Sequence, residues 1–203
     1  MELLEREPFL QTLDEYAEEV KRGSGRLVLV SGESGLGKTA LVEAFHDRSK
    51  GLRWLWGACD GLLMPRPLGP LFDIGALVDG ELADLCRQGA LRDRLFEAFL
   101  RDIGSRAAGT VAVIEDVHWA DEATIDLLNY LGRRIGRSPA LVLATYRDEE
   151  LSDDHPMRLV LGDLATQRGT RRMQLFAAQP SGRPVACRRA RHRRSRAAPG
   201  HWR

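Results

Sequence analysis

The chain has 203 residues, 43% of them hydrophobic and 29% charged, which suits one soluble globular domain with extensions. No apolar run approaches the roughly 18 residues of a membrane span, and the opening residues carry acids where a secretory leader would carry bases. This composition argues against a membrane or secreted protein, and a cytoplasmic one is expected. The net charge of +1 conceals an asymmetry: residues 1–167 hold all 29 acids and 19 bases, whereas residues 168–203 hold 11 arginines and no acid. Cys59, Cys86 and Cys187 are too widely spaced for a C-x-x-C metal or redox pattern and are expected to be buried or free thiols.

Residues 7–22 are predicted helical, since Phe9, Leu10, Leu13, Tyr16, Ala17 and Val20 share one face while Glu15, Glu18 and Lys21 lie off it. Gly23, Ser24 and Gly25 end that helix and lead into a first strand at 26–31. Next come Gly32, Glu33, Ser34, Gly35, Leu36, Gly37, Lys38 and Thr39, spaced as G-x-x-x-x-G-K-T, and a helix over about 40–48 with Leu41, Val42 and Phe45 inward. The glycines let the backbone turn so that successive N–H groups point at phosphate oxygens. Lys38 can then reach the β and γ phosphates, and the Thr39 hydroxyl can ligate Mg²⁺. The following helix adds its positive N-terminal end. A ligand-free glycine turn is the competing reading, and the strand–loop–helix context disfavours it.

Residues 52–57 read as a second strand on which Trp54 and Trp56 share one face, expected to pack rather than to stack on bases. A Pro-rich loop covers 64–70, and helices are predicted at 71–79 and 81–103. The apolar run 110–114 predicts a strand buried on both faces, ending in Glu115 and Asp116. Open α/β sheets bind ligands at the carboxyl ends of their strands. One acid there can hold Mg²⁺ while the other orients water against the γ phosphate; without the glycine loop the pair would merely end a strand. His118 is expected to be a hydrogen-bonded structural residue and Trp119 to pack beneath the next helix, 121–134, with Asp121 as N-cap. A strand at 140–145, a helix at 155–165 and a fifth strand at 172–176 complete an α/β pattern with a mainly parallel sheet covered on both sides.

The loop 32–39, the segment 113–128 and the segment 141–151 together resemble the ATPase module of signal-transduction ATPases with numerous domains. The likeness is to the N-terminal side of large LuxR-type bacterial transcriptional regulators and to origin-recognition-like AAA modules. Leu3, Leu4, Glu5, Arg6 and Glu7 are similar to that family's opening motif near the adenine, with Glu5 where Gly is usual. The resemblance covers about residues 2–176 and implies a three-layer P-loop NTPase with a central five-stranded sheet, comprising the N-terminal helix 7–22 and a core over 26–176. It implies ATP and Mg²⁺ as cofactors, with residues 32–39 around the phosphates and Thr39 and Glu115 on the metal. Lys38, Asp116 and Arg147 are the implied catalytic set: Asp116 polarises water and Arg147 senses the γ phosphate. Thr145 is a further candidate for holding the water. An Arg147 paired with Asp148 or Glu149 at the surface is the competing reading. The order Glu115 then Asp116 reverses the commoner Asp then Glu, which leaves open which acid binds metal and implies slow hydrolysis by the shorter acid.

The family continues into a helical lid, sensor domains and a DNA-binding domain, none of which is recognisable here. The resemblance thus implies a truncated regulatory switch with a wetter site, which self-associates or works with signalling domains missing from this chain. Arg168, Arg171 and Arg172 are candidate fingers for a neighbouring subunit. Residues 177–203 are expected to be a basic, disordered tail. The arginine cluster at 188–196 suits phosphate backbones, so any DNA contact is indirect or through this tail; the favoured reading is a frame-shifted or truncated terminus without evolved function. A catalytically weak nucleotide-binding fragment and a nucleotide kinase are the alternative functions.

Overall fold

A computed structural model describes residues 6–62 and 65–176. The expected tail, Cys187, Met64 and residues 3–5 of the opening motif lie outside the described residues. Five strands, β1 (Arg26–Ser31), β2 (Arg53–Ala58), β3 (Thr110–Glu115), β4 (Ala140–Tyr146) and β5 (Thr170–Gln174), form one sheet in the order β2-β3-β4-β1-β5. Every neighbouring pair is parallel, so the mainly parallel sheet expected from the alternation of elements is wholly parallel among the described residues. All strand carboxyl ends therefore open on the same edge.

Period-two alternation distributes the strands' side chains between two cores. On one face Val28, Val30, Val111, Val113, Leu141, Leu143 and Met173 pack with α1 (Glu7–Lys21) and α2 (Lys38–Arg48). On the other, Leu27, Leu29, Leu55, Ala112, Ile114, Val142, Ala144 and Tyr146 pack with α3 (Gly69–Leu77), α4 (Glu81–Gln88), α5 (Arg92–Ile103), α6 (Glu122–Arg134) and α7 (Pro156–Thr166). The result is the three-layer α/β arrangement. Trp54 and Trp56 lie on one face as expected, stacked with centroids 5.6 Å apart and set against Phe45 and His46 of α2. Gly57 permits α3 to approach β2, because a Cβ there would sit 2.3 Å from the Pro70 carbonyl oxygen. Among the described residues no helix is long and apolar enough to cross a membrane.

Most boundaries shift by one or two residues from the sequence expectation, and three differences have a clear physical reason. The single helix expected over 81–103 is two, because Gly89 takes the left-handed conformation at φ 61° and Leu91 is extended. The helix expected from 71 begins at Gly69, with Pro70 in its first turn, where a missing N–H costs nothing. The fifth strand lies at 170–174 rather than 172–176, since pairing with β1 begins with Leu27 opposite Thr170. Met173 and Leu175 identify the buried face of that segment, whereas only the partner strand decides where the ladder starts.

Asp121 caps α6 as the sequence indicated. Its Oδ1 accepts from the N–H groups of Ala123 and Thr124 at 2.9 and 3.2 Å, and its Oδ2 accepts from the Leu68 N–H at 3.1 Å and from the Thr124 hydroxyl. One carboxylate thus fastens the start of α6 to the loop ahead of α3. Asp121→Ala is expected to lose about 2 kcal/mol of stability, a cap plus an orphaned amide, and to lower the melting temperature by about 4–8 °C. Asp121→Asn, which keeps an acceptor oxygen, is expected to lose less than half of that; thermal unfolding followed by circular dichroism checks both.

Candidate functional site

The loop that follows β1 is built around glycines. Gly35 and Gly37 both have φ 76°, the left-handed region that side-chain-bearing residues avoid, and Gly37 there starts α2. Lys38, the first residue of α2, is only 7% exposed and turns back into the loop. Its Nζ donates to the Gly32 and Glu33 carbonyls at 2.8 and 2.9 Å. Burial pulls the Lys38 pKa down, opposed chiefly by the negative charge of Glu149. An anion brought to this ammonium replaces lost solvation, which is the electrostatic basis of a phosphate site. The Arg6 guanidinium donates to the Leu36 carbonyl and braces the loop from the N-terminal side.

At the end of β3, Glu115 faces the start of α2 although β4 separates β3 from β1 in the sheet. The Thr39 hydroxyl donates to Glu115 Oε1 at 3.1 Å. A hydroxyl and a carboxylate oxygen meeting beside the glycine loop fit the oxygen donors that Mg²⁺ prefers. Among the described residues no cluster of three or more His, Cys, Asp and Glu is placed to hold a metal, so the fit is to an ion held by few protein oxygens, water and phosphate rather than by an all-protein cage.

Asp116 has φ 55°, in a region that Asp and Asn enter more readily than other side-chain-bearing residues. Its N–H donates to the Thr145 hydroxyl at 3.1 Å. The order Glu115 then Asp116 therefore has a local reason: the shorter acid occupies the left-handed position where the strand turns away. Thr145 is 1% exposed, and its hydroxyl accepts from the backbone of Asp116, which places it beside that acid.

The turn after β4 carries four consecutive charged residues, three of which bind separate parts of the site. Arg147 donates to Glu150 Oε1 at 2.5 Å, and its guanidinium carbon is 5.4 Å from the Trp119 ring centroid. Its partner is thus Glu150, not the Asp148 or Glu149 of the competing surface reading. Asp148 accepts from Arg172 of β5 at 2.8 Å, and Glu149 Oε1 accepts from the Ser34 N–H of the phosphate loop at 2.6 Å. Glu150 Oε2 accepts from Trp119 Nε1 at 3.1 Å and lies 3.3 Å from His118 Nε2.

His118 and Trp119 depart from expectation. The His118 ring is fully buried, neither of its nitrogens has a hydrogen bond of normal geometry, and burial lowers its pKa, so the ring is neutral at pH 7. Trp119 does not lie beneath α6. The 3-10 turn Val117–Trp119 directs its indole outward, 36% exposed, against Gly61 and Glu150. Of the candidate finger residues, Arg172 is occupied by Asp148, and Arg171 donates to the carbonyls of Arg168 and Thr170. Burial pushes the Cys59 thiol up to about 12, with neighbouring acids adding to the effect, so it is no nucleophile at neutral pH.

The structure thus brings residues 32–39, Glu115, Asp116 and Arg147 to one edge of the sheet. Sequence reasoning missed Arg6 as a brace of the loop and Glu149 and Glu150 as members of the site. The acids at 148–150 carried the same signal that singled out Glu115 and Asp116, carboxylates just past a buried parallel strand.

A model of the AAA ATPase domain family matches residues 2–143. An uncharacterised protein of Rhizobium meliloti (strain 1021) is 28% identical over 210 residues, covering 80% of this chain, and the chain spans about a fifth of that relative, 20% of its length. A Drosophila ORC assembly bound to poly(dA/dT) DNA contains a chain that matches with a TM-score of 0.51 at 15% identity, over 86% of this chain and 29% of that one. A signal transduction ATPase with numerous domains and a tetratricopeptide repeat sensor, from Pyrococcus horikoshii, matches with a TM-score of 0.45 at 17% identity, over 80% of this chain and 22% of that one. The family match spans the glycine loop and the two acids where β3 ends, and with it the chain belongs to the AAA ATPase domain family, whose α/β fold the wholly parallel sheet shares.

Proposed function

We propose that this chain is a Mg²⁺-dependent ATP-binding module that hydrolyses ATP slowly and acts as a regulatory switch, of the kind found in LuxR-type transcriptional regulators. The observation that carries the reading is the 3.1 Å contact between the Thr39 hydroxyl and Glu115 beside the glycine loop, with Lys38 turned into that loop. In this reading the backbone N–H groups of residues 32–39 bind the phosphates and Lys38 exchanges its carbonyl partners for phosphate oxygens. Thr39 and Glu115 hold Mg²⁺, which when bound neutralises charge on the phosphates. Asp116 orients water and accepts its proton, held at a fixed backbone angle by Thr145. Arg147, parked on Glu150, exchanges that carboxylate for the terminal phosphate when ATP binds.

The switch reading rests on the turn 147–150. It touches the glycine loop through Glu149, the 3-10 turn after β3 through Glu150 and β5 through Asp148, so a change at the terminal phosphate reaches three elements at once. The test is equilibrium binding of ATP to the purified chain with Mg²⁺ and with a chelator, followed by single-turnover hydrolysis. Binding that weakens on chelation, with slow ADP release, is the expected result. Absence of ATP binding under both conditions sinks the reading, and hydrolysis only when a phosphate acceptor is added favours the kinase alternative.

A further inference from the structure

The contact between Glu149 and Ser34 joins residues 115 positions apart in the chain, and it places a carboxylate oxygen 2.6 Å from an N–H of the phosphate loop. A carboxylate is the side-chain counterpart of a phosphate oxygen, and one amide hydrogen cannot serve both with good geometry. Glu149 is presented by the 3-10 turn Asp148–Glu150, whose other two members are tied down by Arg172 and by Arg147 with Trp119. The position of its carboxylate is thus set by the turn. The carboxylate therefore takes up one donor of the cradle, from the turn that also carries Arg147, the residue proposed above for the terminal phosphate. Beside it, a Cβ added at Gly35 would meet nothing within 4 Å, so the loop is open next to the contact.

We propose that Glu149 is a specificity-determining residue that competes with the terminal phosphate for the Ser34 amide, so that the loop accepts a nucleoside diphosphate more readily than a triphosphate. This inference rests on the nucleotide-binding reading above and adds to it a bias between the two ligands. A diphosphate, seated deeper against Gly37, Lys38 and Thr39, leaves Glu149 in place. A triphosphate must displace it, because two anions at one amide repel each other. Hydrogen bonds from its own N–H and, further down, from Ser34 hold the Glu149 carboxyl below the usual carboxylate range. The competing charge is therefore fully present at neutral pH and is lost only on acidification through that lowered pKa. Displacement of Glu149 also frees the 147–150 turn, which gives the triphosphate state a structural signal distinct from the diphosphate state.

The experiment is titration of fluorescent ATP and ADP analogues into the full chain with Mg²⁺, for wild type, Glu149→Gln and Glu149→Ala. Glu149 is exposed, so both variants are expected to fold, and a thermal melt checks it. ATP affinity is expected to rise about five- to tenfold in each variant and ADP affinity to change less than about twofold, the scale of one exposed charge-assisted contact. Binding of ATP by a variant when wild type binds none also supports the inference. Equal changes for ATP and ADP, or unchanged or weakened ATP binding in the variants, overturn it while leaving the nucleotide reading intact. Nucleotide binding by neither wild type nor variants overturns both.

Discussion

Lys38→Ala is expected to weaken ATP binding by about 30- to 1000-fold, the effect of truncating one side of a desolvated charge pair, while the melting temperature moves by only a few degrees. The separation of the two effects follows from the resting geometry. Lys38 is buried to 7% exposure with only backbone carbonyls as hydrogen-bond partners, and burial lowers its pKa, so the ammonium gains little from its resting place. Its removal leaves the Gly32 and Glu33 carbonyls at the mouth of an open loop, where water replaces the donor at a net loss of about 1 kcal/mol. Phosphate has no comparable substitute for the cation. Calorimetric titration of ATP beside a thermal melt reads both quantities, and a variant that binds ATP within about threefold of wild type would show that the loop amides carry the affinity alone.

Asp116→Asn is expected to reduce single-turnover ATP hydrolysis by about 10²–10⁴-fold, the usual contribution of a positioned general base, with ATP binding changed by less than about threefold. Asn has the size of Asp and shares its tolerance of positive φ, so the 55° backbone angle and the N–H bond to Thr145 survive the exchange. The variant therefore removes an acid without disturbing the strand end. Glu115→Gln is the companion, expected to blunt the Mg²⁺ dependence of binding because its carboxylate meets Thr39. If instead the Glu115 variant loses hydrolysis with Mg²⁺ dependence intact and the Asp116 variant shows the reverse, the two acids hold exchanged roles. Rapid-quench kinetics at two Mg²⁺ concentrations decides between these outcomes.

Much of this site was legible in the amino-acid order. A strand, a G-x-x-x-x-G-K-T loop and a helix form a local unit, and the positive φ at Gly35 and Gly37 is a property that glycine alone supplies cheaply. The apolar run at 110–114 followed by two acids was equally readable, since a strand buried on both faces is a continuous apolar run and a change to charged residues marks where burial stops. The N-cap at Asp121 lies in this class too: the capped amides are two and three residues from the cap. What escaped were contacts whose partners are far apart in the chain. His118 was expected to find a hydrogen bond, yet its burial depends on how the turn at 117–119 packs against the β4 loop. Trp119 was expected beneath α6, yet a 3-10 turn of three residues rotates it outward, a distinction that apolar periodicity does not resolve.

Sequence by itself determined the alternation of strands and helices, the phosphate loop and the presence of two acids after the third strand, because each is encoded in hydrophobic period, backbone freedom or charge within a dozen residues. Tertiary structure alone decided the strand order β2-β3-β4-β1-β5, the register of β5 on β1, the reach of Thr39 across β4 to Glu115, and the seating of Glu149 on the Ser34 amide. These depend on which strands are neighbours and how far each extends. In a parallel sheet that choice is made by the packing of distant elements against both faces, and local propensity carries no record of it.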